Sequence, residues 1–334
     1  MVSSKYIIIT SINAPGEAMS GFCKWAGWQV VVVGDRKTPE NWHYDGVTYL
    51  GIEKQFEEYG EFARAIPENT YLRKMMGYVY AIRRGATAIF ESDDDNIPYP
   101  DAAKTIDGII QAADRMDGER RRSSNNWLNA YELFGALKCW PRGFPLEFVK
   151  HSSGNAETGT DNKPWAIKQF LADEDPDVDA VYRMIDGQSV YFARARKFIL
   201  DEGTYCPINS QATLWMPEAF PLLFLPTGVS DRVTDILRGY IASACLWKAG
   251  HAVAFASPVV FQKRNFHDLH KDFLQEMPLY VNSNTWCQCL LDIKESNMID
   301  GYRSAIKKLS DLQAIPENNL SIYDMFLSAA GLTS

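Results

Sequence analysis

Short apolar runs separated by polar, turn-forming segments organise the first third of the chain. Residues 5–10 and 29–33 read as strands, the second a continuous valine run of the kind buried on both faces of a parallel sheet. Both run into small or turn-forming residues, from Ser11 to Gly16 and from Gly34 to Pro39. Apolar positions at helical spacing predict helices over 53–59 and 71–84, with Gly85 placed to cap the second. Residues 86–90, with Thr87, Ile89 and Phe90, predict a further strand. This β-α-β rhythm predicts an α/β fold, a doubly wound sheet whose ligands bind beyond the carboxyl ends of its strands.

The pattern is less regular further on. Residues 101–125 carry both charge signs and read as a solvated helix, and 151–163, rich in Ser, Gly, Asn, Thr and Asp, read as a loop. The acidic run 173–179 reads as an exposed turn. Asp235 opens a helix in which Ile236, Leu237, Tyr240, Ile241, Ala244 and Cys245 recur at helical spacing, and Gly250 ends it. The last fifty residues predict helices over 286–295, 301–312 and 322–330. The expected organisation is one domain over 1–285, in halves 1–125 and 126–285, with a helical extension over 286–334 packed on it.

Composition narrows the class. A chain of 334 residues, 46% hydrophobic and 23% charged, can bury one large core or two modest ones. A formal charge of −8 argues against general nucleic-acid binding, which relies on basic patches. No run reaches 18 apolar residues and the N-terminus lacks a leader-like apolar segment, so a cytoplasmic protein without a membrane span is expected. The six cysteines are scattered. Cys287 and Cys289 lack a second pair, so buried thiols rather than a zinc site are expected.

The candidate chemistry centres on Glu91-Ser92-Asp93-Asp94-Asp95-Asn96, directly after the strand at 86–90. Three adjacent carboxylates repel one another and are tolerated in solvent or around a cation. At a strand end they can converge on one hard metal ion through oxygen ligands. In an extended segment Asp93 and Asp95 face one side and Asp94 the other. A solvated acidic turn and a calcium loop are the alternatives.

These residues carry a resemblance. WQVVVVGDRKTP at 28–39 is similar to a motif of the STELLO family of probable glycosyltransferases. So are Pro67, Thr70-Tyr71, Arg73-Lys74 and Gly77-Tyr78, running on to Ala81-Ile82, Gly85-Ala86 and the acidic triad. DVDAVYR at 177–183, Asn209-Ser210-Gln211 with Thr213, Asp235-Ile236, Arg238-Gly239-Tyr240, and Gln262 with Arg264-Asn265 and His267 complete the set. The triad also resembles that of the reversibly glycosylated polypeptides, which are nucleotide-sugar mutases. The resemblance implies a GT-A-like mixed sheet flanked by helices, with a donor half over 1–125 and an acceptor half over 126–285. It implies Mn²⁺ or Mg²⁺ on Asp93 and Asp95, a nucleotide-diphosphate sugar as donor, preferably a UDP-sugar, and a saccharide or other hydroxyl-bearing acceptor. Non-catalytic donor binding and mutase chemistry remain alternatives, and an oligomer is left open.

Each residue then has two readings. Asp35 accepts from a uracil or ribose edge, or closes its own turn onto Lys37 or Thr38. Arg73 and Lys74 hold the diphosphate or neutralise the acidic loop, with Lys37 and Arg264 as further donor contacts. Asp94 reaches the sugar or ribose, and His267, His270 or Asn265 supplies a third metal ligand. Asp235 is a general base or an ordinary first-turn carboxylate, with Asp231 as its substitute. Arg238 pairs with Asp235 or reaches the diphosphate. Trp215, Tyr240 and Trp247 stack on a sugar or belong to the core, the core being preferred for Trp247.

Overall fold

The computed structural model describes residues 4–112, 115–154 and 156–332. Its strands are β1 (Ser4–Thr10), β2 (Trp28–Val33), β3 (Val47–Leu50), β4 (Ala86–Asp93), β5 (Asn96–Pro98), β6 (Glu119–Ser123), β7 (Ala156–Thr158), β8 (Trp165–Asp173), β9 (Lys197–Leu200), β10 (Ala212–Trp215) and β11 (Ala252–Gln262). The helices are α1 (Glu17–Phe22), α2 (Ile52–Ala65), α3 (Lys74–Arg83), α4 (Ala102–Gln111), α5 (Ala130–Leu133), α6 (Ala180–Ile185), α7 (Asp231–Lys248), α8 (Leu269–Leu290), α9 (Met298–Asp311) and α10 (Asn319–Ala330).

One mixed sheet holds all eleven strands, ordered β3-β2-β1-β4-β10-β8-β11-β9-β6-β7, with β5 paired to β11 off this path. β3, β2, β1 and β4 are parallel. β10 is antiparallel to both neighbours, and β8 is parallel to β11, so β1, β2, β4, β8 and β11 all end at one edge. The chain leaves β1 for β2 on one side and returns to β4 on the other, and the resulting crevice at that edge is where open α/β sheets bind ligands.

Alternation along β1 feeds two cores. Tyr6 and Ile8 join the layer of α2, α3, α7 and the C-terminal helices, while Ile7 and Ile9 join that of α1 and α4. Gly77 on α3 lets that helix lie close to the sheet. A Cβ there would stand 2.5 Å from Ile8 Cγ2 and 2.9 Å from Val33 Cγ2. α7 is buried from Val233 to Trp247 beneath α8 and α9. No helix is long and apolar enough to cross a membrane among the described residues.

The mixed sheet with flanking helices and helical C-terminal elaboration is as expected, but several local expectations fail. The charged stretch 101–125 is not one helix. α4 stops at Gln111, and β6 pairs parallel to β9. Gly118, at φ +149°, turns the chain into β6, and sheet pairing then outweighs the helical character of Glu119-Arg120-Arg121-Arg122. The segment 151–163 contains the end of a 3₁₀ turn (Leu146–Gly154) and the short β7. The helix expected at 286–295 begins at Leu269, so α8 crosses position 286 without a break. Its internal Pro278 hides it from a pattern reading, whereas Asp268 caps it by accepting from the His270 and Lys271 amides.

The acidic run 173–179 is not an exposed turn either. All nine residues of β8 are buried, and Asp173 and Asp179 are buried too. Asp173 accepts from Phe192 N at 2.9 Å, Tyr99 Oη at 2.8 Å and Arg194 Nη2 at 2.6 Å. Asp179 caps α6 and accepts from Trp140 Nε1, and burial pushes its carboxyl up to about 6. Lys168 and Gln169 in the middle of β8 disguise the strand that delivers the run. All six cysteines are unpaired, four of them buried.

Candidate active site

A cavity of about 700 Å³ opens where the sheet's carboxyl edge predicts it. Ser11 to Asn13 after β1, Asp35 and Lys37 after β2, and the triad after β4 line one side. Asp177, Gln211, the first turn of α7, Gln262 at the end of β11 and residues 264–267 also line the cavity.

The triad sits in a reversal rather than an extended segment, which corrects the alternation expected for it. Asp93 ends β4, Asp94 and Asp95 form the turn, and β5 folds back to pair Asn96 with Gln262. Each carboxylate therefore has different surroundings. Asp93 Oδ1 accepts from Tyr71 Oη at 2.7 Å and Lys74 Nζ at 3.0 Å. Asp94 Oδ2 accepts from Ser11 Oγ at 2.6 Å and Asn13 Nδ2 at 2.9 Å, which ties it to the end of β1. Asp95 Oδ2 accepts from Gln262 Nε2 at 3.0 Å and Asn265 N at 3.3 Å. Its Oδ1 is buried and has no hydrogen-bond partner among the described residues. Burial, with the Asp93 charge beside it, pushes the Asp95 carboxyl up to about 6. Burial also raises Asp93, against the pull of Lys74.

The basic residues of α3 divide their roles differently from expectation. Lys74 is fully buried and donates to Tyr71 Oη at 2.6 Å, Ser92 O at 2.7 Å and Asp93. It neutralises the strand end. Arg73, expected on a diphosphate, is instead a scaffold residue, although it borders the cavity. Its guanidinium donates to Gln55 Oε1 and to the Ala63 and Ile66 carbonyls at 2.7 and 3.0 Å, tying α2 to the start of α3. Arg238, expected near Asp235 or a diphosphate, lies in the core and pairs through both terminal nitrogens with Glu91, at 3.0 and 2.7 Å. Trp215, Tyr240 and Trp247 are core residues, and Trp215 Nε1 donates to Glu91 at 2.8 Å.

Asp35 lies at the cavity and also shapes its own loop. Its carboxylate accepts from Arg36 N at 2.7 Å and Thr70 N at 3.3 Å, while Thr38 Oγ1 accepts from its backbone N–H. The carboxylate thus meets Arg36 rather than Lys37, while the turn closes onto Thr38 through the backbone, Thr38 N donating to Asp35 O at 3.0 Å. Lys37 is exposed at the cavity rim.

On the other side Arg142 is sandwiched between two buried carboxylates. It meets Asp177 at 2.8 Å through Nε and Nη2, and Asp235 at 3.1 and 3.0 Å. Asp235 also accepts from Ile236 N at 2.9 Å and Ser210 N at 3.3 Å, so four donors occupy the oxygens of the residue expected to be a base. Burial works to raise Asp177, but Arg142 and then Arg232 override it and hold its carboxyl below the usual range. Asp231 is less encumbered. Its Oδ1 accepts from Tyr71 N at 3.1 Å, and desolvation, with the Asp235 and Asp35 charges behind it, pushes the carboxyl up.

His267 lines the cavity but turns to Asp272, 3.3 Å away, and His270 is exposed beside Asp268. No group of three His, Cys, Asp or Glu side chains is arranged to hold a metal ion among the described residues, so a set of Asp93, Asp95 and His267 does not assemble. Asn265 approaches the triad through its side chain, 3.4 Å from Asp94 Oδ1. Sequence reasoning missed Tyr71, Arg142, Arg183, Arg232 and Gln262 as cavity residues with partners in the network. Tyr71, Arg183 and Gln262 fall within the resembling motifs, whereas nothing local marks Arg142.

These features define an α/β protein with a carboxyl-edge cleft, acidic at the triad and basic opposite. The chain is 30% identical over 304 residues to the probable glycosyltransferase STELLO2 of Arabidopsis thaliana and 29% identical to STELLO1 of the same plant. Each match takes in 86% of this chain and 39% of the relative, so the chain spans about two-fifths of the length of these curated relatives. Over that part of their length it is distantly similar to the STELLO probable glycosyltransferases. No family model matches. Among solved structures, a mycobacterial protein aligns at TM-score 0.45 and 10% identity, covering 85% of this chain and 74% of its own. Glucosyl-3-phosphoglycerate synthase from Mycobacterium tuberculosis with Mn²⁺ and UDP-glucose aligns at 0.43 and 10%, covering 84% and 78%. Scores below 0.5 do not establish a common fold.

Proposed function

We propose that this chain is a metal-dependent GT-A-type glycosyltransferase that moves a sugar from a UDP-sugar to a hydroxyl acceptor. The observation that carries the reading is Asp95 Oδ1, a buried carboxylate oxygen without a partner among the described residues, beside Asp93 at the cavity. Leaving such an atom unpaired is costly, and a divalent cation removes the cost. The residues present fit Mn²⁺ or Mg²⁺, which is commonly held by one or two carboxylates together with substrate phosphates and water. Asp93 and Asp95 would hold it, and it would supply positive charge to the departing diphosphate.

The chain's own residues account for the remaining roles. Asp35 and Lys37 face the nucleoside end of the cleft. A carboxylate accepts from the N3–H of uracil, whereas cytosine presents an acceptor at that position, which favours UDP over CDP. Asp94, held by Ser11 and Asn13, is positioned for the ribose or sugar. Asp231 takes the proton of the acceptor hydroxyl as the new C1–O bond forms. The bond from C1 to the diphosphate breaks with its electron pair going to UDP. Asp235 positions Arg142 and the start of α7 rather than serving as the base.

Thermal-shift titration of the protein with UDP-sugars, with and without Mn²⁺, tests the donor. A ligand at about a hundred times its dissociation constant stabilises by roughly 2.7 kcal/mol. The expected result is a UDP-sugar shift that depends on Mn²⁺. The absence of any nucleotide-dependent shift would remove the donor assignment.

Asp231→Asn is expected to lower kcat by roughly 10²–10⁴-fold with donor affinity retained. The Asp231 carboxyl is raised, and only its ionised form accepts a proton. The wild-type rate therefore climbs as pH rises through that elevated value, and the acid limb disappears in the variant. A variant with unchanged kcat and the same pH profile would rule Asp231 out as base.

A further inference from the structure

We propose that the basic wall of the cleft is a subsite for an oxyanion on the acceptor, so that the acceptor is a small hydroxyl compound bearing a phosphate or carboxylate. This deepens, and rests on, the glycosyltransferase reading. Arg142, Arg183, Arg232, Arg264 and His267 all line the cavity, although they come from separate elements: the loop after α5, α6, α7 and the segment after β11. Arg142 is committed to Asp177 and Asp235. The other three arginines are paired from behind. Arg183 binds Asp175, Arg232 binds Glu276 and Arg264 binds Asp272, none of which lines the cavity, while Arg232 Nη2 also lies 4.0 Å from Asp177, which does. Asp175, Glu276 and Asp272 hold the guanidiniums in place and lie outside the cavity lining.

Donors are left over on this wall. Arg183 donates to Asp175 and, through Nη2, to Pro176 O at 2.9 Å, and its Nε is buried without a partner among the described residues. Arg232 donates to Glu276 through Nε and Nη2, leaving Nη1 without a hydrogen bond among the described residues. Arg264 donates through Nη2 to Asp272 at 2.8 Å and makes no other hydrogen bond among the described residues. The three also press on one another. Burial, followed by the charges of Arg183 and Arg232, lowers Arg264 to about 10. An oxyanion placed among them satisfies the spare donors and relieves that repulsion, and planar guanidinium forks suit both phosphate and carboxylate.

Position assigns this wall to the acceptor rather than the donor. Arg232 and Asp231 both line the cavity from the first turn of α7, so an anion held by Arg232 keeps the acceptor in the same space as the base. The donor diphosphate is assigned instead to Lys37 and the metal carboxylates Asp93 and Asp95, which line the same cavity.

Calorimetric titration of inorganic phosphate into the full chain saturated with UDP and Mn²⁺ tests the site, repeated on Arg264→Gln and Arg183→Gln. These two variants leave Asp272 paired with His267 and leave Asp175 at the surface, and melting curves confirm that they fold. The expected result is phosphate binding without loss of UDP, weakened at least tenfold in each variant while UDP affinity is unchanged. Glucose 6-phosphate, glucuronate and glucose then serve as matched probes in thermal shift. A shift with either charged sugar and none with glucose supports the proposal and identifies the oxyanion. Phosphate that merely displaces UDP, phosphate binding that is indifferent to the two substitutions, or a response to charged sugars no greater than that to glucose overturns it. If UDP fails to bind, the donor reading falls on its own. Phosphate titration of the free protein still decides the arginine wall, since loss of binding in Arg264→Gln supports it and unaltered or absent binding refutes it.

Discussion

Asp95→Asn is expected to abolish metal-dependent donor binding while raising the melting temperature of the metal-free protein. The two effects have one cause. Asp95 holds a negative charge in a buried position with one oxygen unpartnered and Asp93 nearby, and its carboxyl is pushed up from 3.8 to about 6. The folded protein thus binds the Asp95 proton more tightly than the unfolded chain does. The penalty is absent below about 3.8, grows as pH rises, and is complete above about 6. At about 1.4 kcal/mol per pH unit of displacement, it is on the order of 1–3 kcal/mol. Asparagine carries no charge to desolvate, so the stability gain of the variant should grow between pH 4 and 6, a window that follows from that displacement, and level off above it. A divalent cation should stabilise the wild type and not the variant. Loss of the cation's charge at the diphosphate should lower kcat/KM by roughly 10²–10³-fold. Melting curves across this pH range, with and without Mn²⁺, together with UDP-release rates, check both halves. A variant that keeps its Mn²⁺-dependent nucleotide shift would remove Asp95 from the metal site.

Arg238→Met is expected to destabilise the fold by about 3–5 kcal/mol, the cost of stranding one partner of a buried ion pair. Arg238 and Glu91 are both fully buried. Arg238 also donates to Ser210 Oγ at 2.9 Å and lies 4.7 Å from the centre of the Trp215 ring. Removing it leaves Glu91 charged inside the protein with, among the described residues, the Tyr78 hydroxyl and Trp215 Nε1 as its side-chain donors. The double variant Glu91→Gln/Arg238→Met should recover much of the loss, because the neutral amide still accepts from Trp215 and no charge is stranded. Urea unfolding of the single and double variants measures this directly. A single variant of normal stability but weakened UDP affinity would return Arg238 to the diphosphate role that its sequence position suggested.

The contrast between Asp95 and Arg238 shows how much of the site was legible. Both lie in motifs that resemble the STELLO proteins, and both carry charge near an apolar segment. The strand before Asp93 was readable because Ala86 to Phe90 is apolar and is followed by punctuation that stops it. The turn at Asp94 and Asp95 was not, since it depends on β5 pairing with β11, more than 150 residues away. Arg73 and Arg238 looked like phosphate ligands because a guanidinium gives the same letter whether it meets an anion or ties down a carbonyl. Burial decided between the two, and burial depends on what packs above. The acidic run at 173–179 was misread for the same reason. Charge predicts exposure unless a capped helix, an arginine or a half-buried tyrosine supplies partners, and those partners come from distant segments.

The sequence alone therefore determined the alternating β-α-β beginning, the carboxyl edge as the place for a ligand, the acidic triad there and the charged start of α7. Each of these depends on interactions between near neighbours in the chain: hydrophobic periodicity, turn chemistry and capping. Only the tertiary structure decided which charges serve the cleft and which serve the scaffold. It freed Asp231, committed Asp235 to Arg142, buried Arg238 against Glu91 and gathered Arg183, Arg232 and Arg264 on one wall. The physical reason is that the cost of burying a charge, and the partner that offsets it, depend on residues brought together by the sheet rather than on those adjacent in sequence.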